Sequence, residues 1–171
     1  MSIFVLVAGP PGSGKSTLAQ PLAEQLGLPL MAKDPIKEAL MDVLGWPSSV
    51  EESRTLGRAA VMALLEVAST SHGAVLDSTF FPYAFPRITA LPGSLIELRC
   101  NCPRAVAQAR YRARSSTRHR GHLDLERQPG ELWNEQNSTP LGIAPVILVD
   151  TNAPVDVPDI AARIQRLVRA Q

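Results

Sequence analysis

Cysteine is scarce: Cys100 and Cys102 are the only two in 171 residues, too few for a disulfide framework. One residue separates them at the end of an expected strand. Both side chains then point to one face, with too little room for a relaxed bridge. Two thiols without partner ligands also make a poor zinc site, so both read as reduced, structural cysteines. Excess charge is missing as well: the formal net charge is +1, which gives no global pull toward nucleic acid or a membrane surface. No apolar run approaches the roughly 20 residues needed to cross a bilayer, and no basic segment precedes the first apolar run. A cytoplasmic protein is expected, with no membrane partner. There is no internal repeat, low-complexity stretch or linker. The length suits one domain, 1–171, with a substantial core.

What the chain does contain is an alternation of strands and helices. "SIFVLVAG" is a continuous apolar run, too short for a buried helix and rich in β-branched residues, as a central parallel strand requires. After a glycine-rich turn, "KSTLAQPLAEQLG" repeats leucine at 18, 22 and 26 and stops at Gly27. Pro21 removes one hydrogen bond inside that helix. "LPLMA" is a second strand, leading into a helix from Pro35 to Leu44. A long helical segment follows from Val50 and is closed by Gly73. "AVLDSTF", "SLIELRCN" and "APVILVD" are three further strands. "PRAVAQARYRARSSTR" and "VPDIAARIQRLVRA" are the last helices. The pattern defines an α/β class with a parallel sheet covered on both faces.

"GPPGSGKST", Gly9 to Thr17, satisfies G-x-x-x-x-G-K-[ST] between a buried strand and a helix, where the motif has to sit. Glycines at 9, 12 and 14 let successive N–H groups, with those of Ser13 and Thr17, turn inward around a phosphate chain. A helix starting near Lys15 presents its positive end to the same anion. Lys15 is placed to reach the β- and γ-phosphates, and the Ser16 hydroxyl to ligate Mg²⁺. The pattern reads as a nucleoside triphosphate site. The Asn-Lys-x-Asp guanine reader is absent, which points toward ATP. Asp77 ends an apolar strand, the form of a Mg²⁺-holding acid; its alternative is a turn cap beside Ser78 and Thr79. Asp34 closes another apolar run. As a favoured N-cap before Pro35 it has a purely structural reading; as an acid at the mouth of the cleft it has a catalytic one.

The order of "GPPGSGKST", "AKDPIKEAL", "VLDSTF", "RYRARSSTRHRGH" and "PVILVDTNAPVDV" resembles the small P-loop kinases of the polynucleotide 5′-kinase, chloramphenicol phosphotransferase and zeta-toxin-like group, an AAA-type ATP-binding kinase family. The likeness covers nearly the whole chain. It implies a P-loop three-layer sandwich with a five-stranded parallel sheet of order 2-3-1-4-5 and an Arg-rich lid at about 110–127. It also implies transfer of the γ-phosphoryl of ATP to a hydroxyl, with Mg²⁺. In such kinases the acid at Asp34 lies opposite the P-loop and serves as base. The polynucleotide-kinase pattern there is Arg-Asp-x-x-Arg. Here it is "KDPIK", with Lys33 and Lys37 in place of the arginines. Lysine lacks the planar fork that pairs bidentately with phosphate, which weighs against a nucleic-acid acceptor. Lys37 remains a candidate acceptor contact. The resemblance also allows Asp77 to bind acceptor instead of metal.

Eight of the 17 basic residues fall between positions 99 and 127, where only Asp124 and Glu126 oppose them. Arg110, Arg114 and Arg118 are spaced by four and share one face if the helix continues. The resemblance makes Arg114 or Arg118 the arginine that reaches the phosphates, and Arg110 a stacking partner for adenine. Asn152, in the loop after the fifth strand, is a weaker candidate for the base. His119 and His122 have no clear ligand partners; they are candidate lid or acceptor contacts, with surface residues as the favoured reading. "FFPYAFP" and Trp46 stand beside the expected acceptor side, with ordinary packing as their alternative. The reading is an ATP- and Mg²⁺-dependent kinase with a small-molecule hydroxyl acceptor. Its rivals are a polynucleotide 5′-hydroxyl kinase and a non-catalytic nucleotide-sensing module. No feature sets an oligomeric state.

Overall fold

In the computed structural model, which describes residues 2–170, the first apolar run is the strand β1 (Ile3–Ala8). It is followed by β2 (Leu30–Ala32), β3 (Gly73–Asp77), β4 (Ser94–Asn101) and β5 (Val146–Asp150), which form one parallel sheet of order β2-β3-β1-β4-β5. The helices are α1 (Lys15–Leu26), α2 (Lys33–Leu44), α3 (Val50–Ser69), α4 (Phe85–Thr89), α5 (Arg104–Ser115), α6 (Pro129–Leu132), α7 (Glu135–Ser138) and α8 (Val157–Arg169). Alternation along β1 divides the core in two. Val5 and Val7 face α1 and α8, where they meet Leu18, Leu22, Ile160 and Ile164. Phe4, Leu6 and Ala8 face the opposite layer, with Leu64 and Leu65 of α3 and Ile88 of α4. Both faces of β1 are therefore apolar, as a central parallel strand demands.

The register positions the chemistry. Val7 pairs with Asp77, and Asp77 with Ala32. The carboxyl ends of β1, β3 and β2 thus lie level. The P-loop, Asp77 and the Lys33–Asp34 pair emerge side by side at the sheet edge where open α/β sheets bind ligands.

Three expectations need correction. The helix after β2 begins at Lys33, with Ala32 as its N-cap, so Asp34 lies within the first turn and caps nothing. Pro35 is accommodated because its missing N–H is still among the unpaired first-turn donors. Gly73 does not close α3: that helix ends on Thr70, and Gly73 opens β3 with φ +130°. A Cβ there would lie 2.7 Å from the carbonyl oxygen of Ile3 on β1, so the glycine serves close strand approach. The helix carrying Arg110 and Arg114 stops at Ser115, so Arg118 belongs to the turn beyond it.

A buried ion pair fastens the segment behind the cleft. Glu97 and Arg99 project from the same face of β4 and are fully enclosed, 3.5 Å apart. Arg99 donates to the Asn137 carbonyl (2.6 Å), and Glu97 accepts from the Leu141 amide (2.8 Å). Burial pushes the Glu97 carboxyl up and the Arg99 guanidinium down, against their mutual attraction. Removing one partner leaves the other charge buried without compensation. Arg99→Met is expected to cost about 3–5 kcal/mol, seen in denaturant titration as a lower midpoint at unchanged slope.

Candidate active site

The loop between β1 and α1 turns through Gly12 (φ +77°) and Gly14 (φ +84°), the latter being the N-cap of α1. L-residues with a Cβ rarely adopt such angles. At Gly12 space forbids a side chain too: a Cβ would sit 2.1 Å from the Ala107 carbonyl oxygen of α5. The loop is braced from outside. Thr151 Oγ1 donates to the Ser13 carbonyl (2.7 Å), Thr79 Oγ1 to the Gly9 carbonyl (3.3 Å), and Trp133 Nε1 to the Pro11 carbonyl (3.0 Å). These bonds fix three of the loop's carbonyls from outside, and the Ser13 amide closes the turn on the Pro10 carbonyl at 3.2 Å. The first turn of α1 carries no acidic residue to compete for its positive end. Lys15 folds back to donate to the Pro10 carbonyl at 2.9 Å. Burial lowers its pKa to about 8, with Asp77 opposing the shift.

Lys15 and Ser16 open into a cavity of about 910 Å³. Asp34, Lys37, Asp77, Arg114 and Arg118 line it as well, so acids, ammonium groups and lid arginines from five segments share one space. Asp77 and the Ser16 hydroxyl stand together at the cavity wall. Burial raises the Asp77 pKa, and Lys15 works against that. Asp34 is held differently. Burial alone would raise its carboxyl, but Lys33 Nζ at 2.6 Å and the Arg118 guanidinium outweigh this and hold it well below the usual carboxylate range.

Arg118 bridges two acids. One terminal nitrogen meets Asp34, and the other lies 2.9 and 3.0 Å from the Asp124 carboxylate. Tyr111 also donates to Asp124, at 2.8 Å. Arg114 lies over the Tyr111 ring at 5.4 Å, and its buried Nε has no hydrogen-bond partner. Burial, with Arg118 nearby, lowers its pKa. One lid arginine is thus engaged by carboxylates while the other stands free beside the P-loop lysine. Arg110 is exposed and donates to the Thr151 carbonyl at 3.1 Å, against the loop after β5. Asn152 is exposed and does not line the cavity; its amide donates to Asp150. In "FFPYAFP", Phe80 joins the core beneath α3 and Phe85 packs against it, while Phe81 and Tyr83 line the cavity as a stacked pair. Trp46 is exposed and edges the His119 ring at 5.2 Å, outside the cavity.

His122 overturns its surface reading. It is 3% exposed and lies 2.8 Å from a Glu38 carboxylate oxygen. The α3 wall, where Ser53, Arg54 and Arg58 face the cavity, was not expected from the sequence. Their four-residue spacing was visible, but no motif distinguishes it from an ordinary helix surface.

Ser16 and Asp77 bring a hydroxyl and a carboxylate together, the hard oxygen donors that Mg²⁺ prefers. Among the described residues there is no group of three or more His, Cys, Asp or Glu side chains able to hold a metal. That donor set fits an ion held mainly by phosphates and waters. No helix among the described residues is long and apolar enough to cross a membrane.

Sheet order, glycine loop and cleft together define a protein with the P-loop kinase fold. The chain belongs to the AAA domain family, whose model matches residues 4–131. Uncharacterized proteins of Mycobacterium tuberculosis and Mycobacterium bovis are 30% identical over 66% of this chain, which spans about a quarter (26%) of their length. A candidate kinase from Chloroflexus aurantiacus superposes with a TM-score of 0.80 at 30% identity, covering 96% of this chain and 97% of its own. A gluconokinase from Sinorhizobium meliloti (TM-score 0.65, 20% identity, 98% and 94% covered) shares the fold. So does a shikimate kinase from Acinetobacter baumannii (0.59, 16%, 99% and 93%).

Burial, with Arg118 second, lowers the His122 pKa from 6.5 to about 3. The unfolded chain therefore takes up this proton first. Stability due to neutral His122 is complete above pH 6.5 and is lost as pH falls toward 3. The wild type is expected to lose stability from pH 6.5 down to the carboxylate range near 4.5, and His122→Gln to show a flatter slope there in denaturation midpoints.

Proposed function

We propose that this chain is an ATP-dependent kinase that uses Mg²⁺ to transfer the γ-phosphoryl group to a hydroxyl of a small molecule. One observation carries this: Lys15, Ser16, Asp77, Asp34 and two lid arginines line a single cavity that extends past the P-loop to the wall of α3. A cavity of about 910 Å³ lies near the top of the usual range for one ligand, which suits two reactants side by side. The likeness to the Chloroflexus candidate kinase over nearly the whole length of both chains supports the same reading. So do the gluconokinase and shikimate kinase, whose names both specify small-molecule acceptors.

In this reading the loop amides and Lys15 hold the triphosphate, and residues 1–171 act as one domain in the cytoplasm. Ser16 and Asp77 would hold Mg²⁺, which would neutralise charge on the transferring group when bound. The acceptor hydroxyl gives its proton to the Asp34 carboxylate. A bond forms from that oxygen to the γ-phosphorus, the bond from phosphorus to the β,γ-bridging oxygen breaks, and ADP leaves. With Arg118 and Lys33 upon it, Asp34 is a weak base. A γ-phosphate competes for Arg118, and drawing that guanidinium away removes one of the two main charges that weaken Asp34, Lys33 being the other. Arg114, without a hydrogen bond at Nε, is available to the phosphates throughout.

The test is transfer of labelled γ-phosphate from ATP to a panel of hydroxyl compounds, run beside two variants. Lys15→Ala is expected to abolish transfer through loss of triphosphate binding. Asp34→Asn is expected to retain ATP affinity and to lose roughly 10²-fold or more in transfer rate. Full activity of Lys15→Ala, or label released only as free phosphate with every acceptor, would overturn the kinase reading. Full activity of Asp34→Asn would remove the base assignment alone.

A further inference from the structure

We propose that the acceptor is a small hydroxylated anion, bearing a carboxylate or phosphate besides the reacting hydroxyl, and that Arg58 and Lys37 read that charge across Gly57. This rests on the kinase reading above and names the substrate class of the same cavity.

The α3 wall is built in tiers. Ser53 with Arg54, Gly57 with Arg58, and Val61 with Met62 recur at the four-residue spacing and all face the cavity. Gly57 stands in the interior of a 20-residue helix, where glycine is a poorer helix former than alanine. Nothing lies within 4 Å of a Cβ built there, so the protein's own packing does not require the missing side chain. The gap at Gly57, beside Arg58 and one turn from Ser53, is therefore open to whatever enters the cavity. Phe81 and Tyr83, stacked with centroids 6.3 Å apart, line the same cavity, and the charge of Arg58 is felt at the Tyr83 hydroxyl. A guanidinium and an aromatic surface therefore border the notch.

The charges on this wall are unevenly matched. Arg54 is bound to Glu51 and Glu131, and Arg127 to Glu131. Arg58 makes no hydrogen bond among the described residues; the nearest carboxylate oxygen, of Glu51, is 3.7 Å away. Lys37 is 3% exposed, and among the described residues its ammonium donates only to Ser53 Oγ, at 2.6 Å, with no carboxylate in ion-pair range. Ser53 passes that bond to the Gly121 carbonyl at 3.0 Å, which ties Lys37 to the lid. Burying an ammonium without a counter-ion is costly unless a partner arrives. Burial, then Lys33 and Arg127, lowers the Lys37 pKa to about 7, and a bound anion would reverse that shift. A neutral sugar or nucleoside leaves Lys37 without a counter-ion and Arg58 with only its long, exposed contact to Glu51.

The experiment compares matched acceptors at saturating ATP and Mg²⁺. The pairs are an aldonate and its alditol, a hexose phosphate and its hexose, and a hydroxycyclohexane carboxylate and its amide. A 5′-hydroxyl oligonucleotide is the control. At least one acid is expected to exceed its neutral partner by roughly tenfold or more in kcat/KM, the size of one charge-assisted contact. The pair that responds distinguishes carboxylate from phosphate. Arg58→Gln, an exposed position that tolerates substitution, is expected to raise the KM of that acid about tenfold, with kcat and the KM for ATP unchanged. Gly57→Ala is expected to raise the melting temperature while also raising the acid's KM, a combination that a merely structural glycine would not give. Equal use of neutral partners, or an Arg58→Gln enzyme with unaltered KM, would overturn the inference and leave the kinase reading intact; transfer to the oligonucleotide alone would overturn both the inference and the small-molecule acceptor. If no acceptor takes label, binding of the same compounds to the ADP·Mg²⁺ complex decides. Acid binding that Arg58→Gln weakens sustains the anion site while the kinase reading falls. Absence of such binding removes both.

Discussion

Val7, Asp77 and Ala32 lie abreast in three hydrogen-bonded strands, and the rest of the cleft hangs from that register. A slip of one residue in β3 would turn Asp77 to the other face of the sheet. A slip in β2 would carry Asp34 away from the P-loop. The register is held because Phe4, Leu6 and Leu76 must face α3 while Val5, Val7 and Val75 face α1. Apolar packing on two faces thus fixes the relative positions of polar groups that attract one another only modestly. The same packing leaves the strand ends open at one edge, where the loop amides and the start of α1 meet the cavity.

The cavity is a field problem more than a covalent one. Lys15, Lys33, Lys37, Arg114 and Arg118 crowd around Asp34 and Asp77. Two of these ammonium groups, Lys15 and Lys37, are lowered mainly by burial, to about 8 and about 7. Such a surplus is tolerable when anionic ligands complete it. Asp34 and Arg118 pair across the cavity and keep the lid close to α2, and a phosphate competes with Asp34 for the guanidinium. Ser53 extends the coupling, since it links Lys37 of α2 with the lid carbonyl of Gly121.

Much of this was legible in the chain. The strand-helix alternation, the glycine loop and the two acids after apolar runs each carry a local physical signal, and their order pointed to the sheet arrangement that the structure has. The misread elements had weak or shared signals. Asp before Pro marks a cap as readily as a first-turn residue, and the helix begins two residues earlier than expected, at Lys33, because its first turn could form on Ala32. Gly73 ends many helices and here opens a strand, since only contact with Ile3 reveals the reason for glycine. His122 carries no mark of burial in its neighbours along the chain. The α3 wall was silent because a helix with arginines at one spacing looks like any solvated face.

Read as a string, the chain settles what short-range physics controls: apolar periodicity, the positive-φ turn at Gly12 and Gly14, the helix start that follows, and through them a P-loop fold of the AAA domain family. Which charges meet is decided only in three dimensions. Arg118 finds Asp34 across 84 residues, and Lys37 finds Ser53 across 16. Among the described residues Arg58 makes no hydrogen bond and keeps only a 3.7 Å contact to Glu51, because the neighbouring acids turn to Arg54 and Arg127. Electrostatic energies depend on separation and burial, and both follow from how the layers pack, not from distance along the backbone.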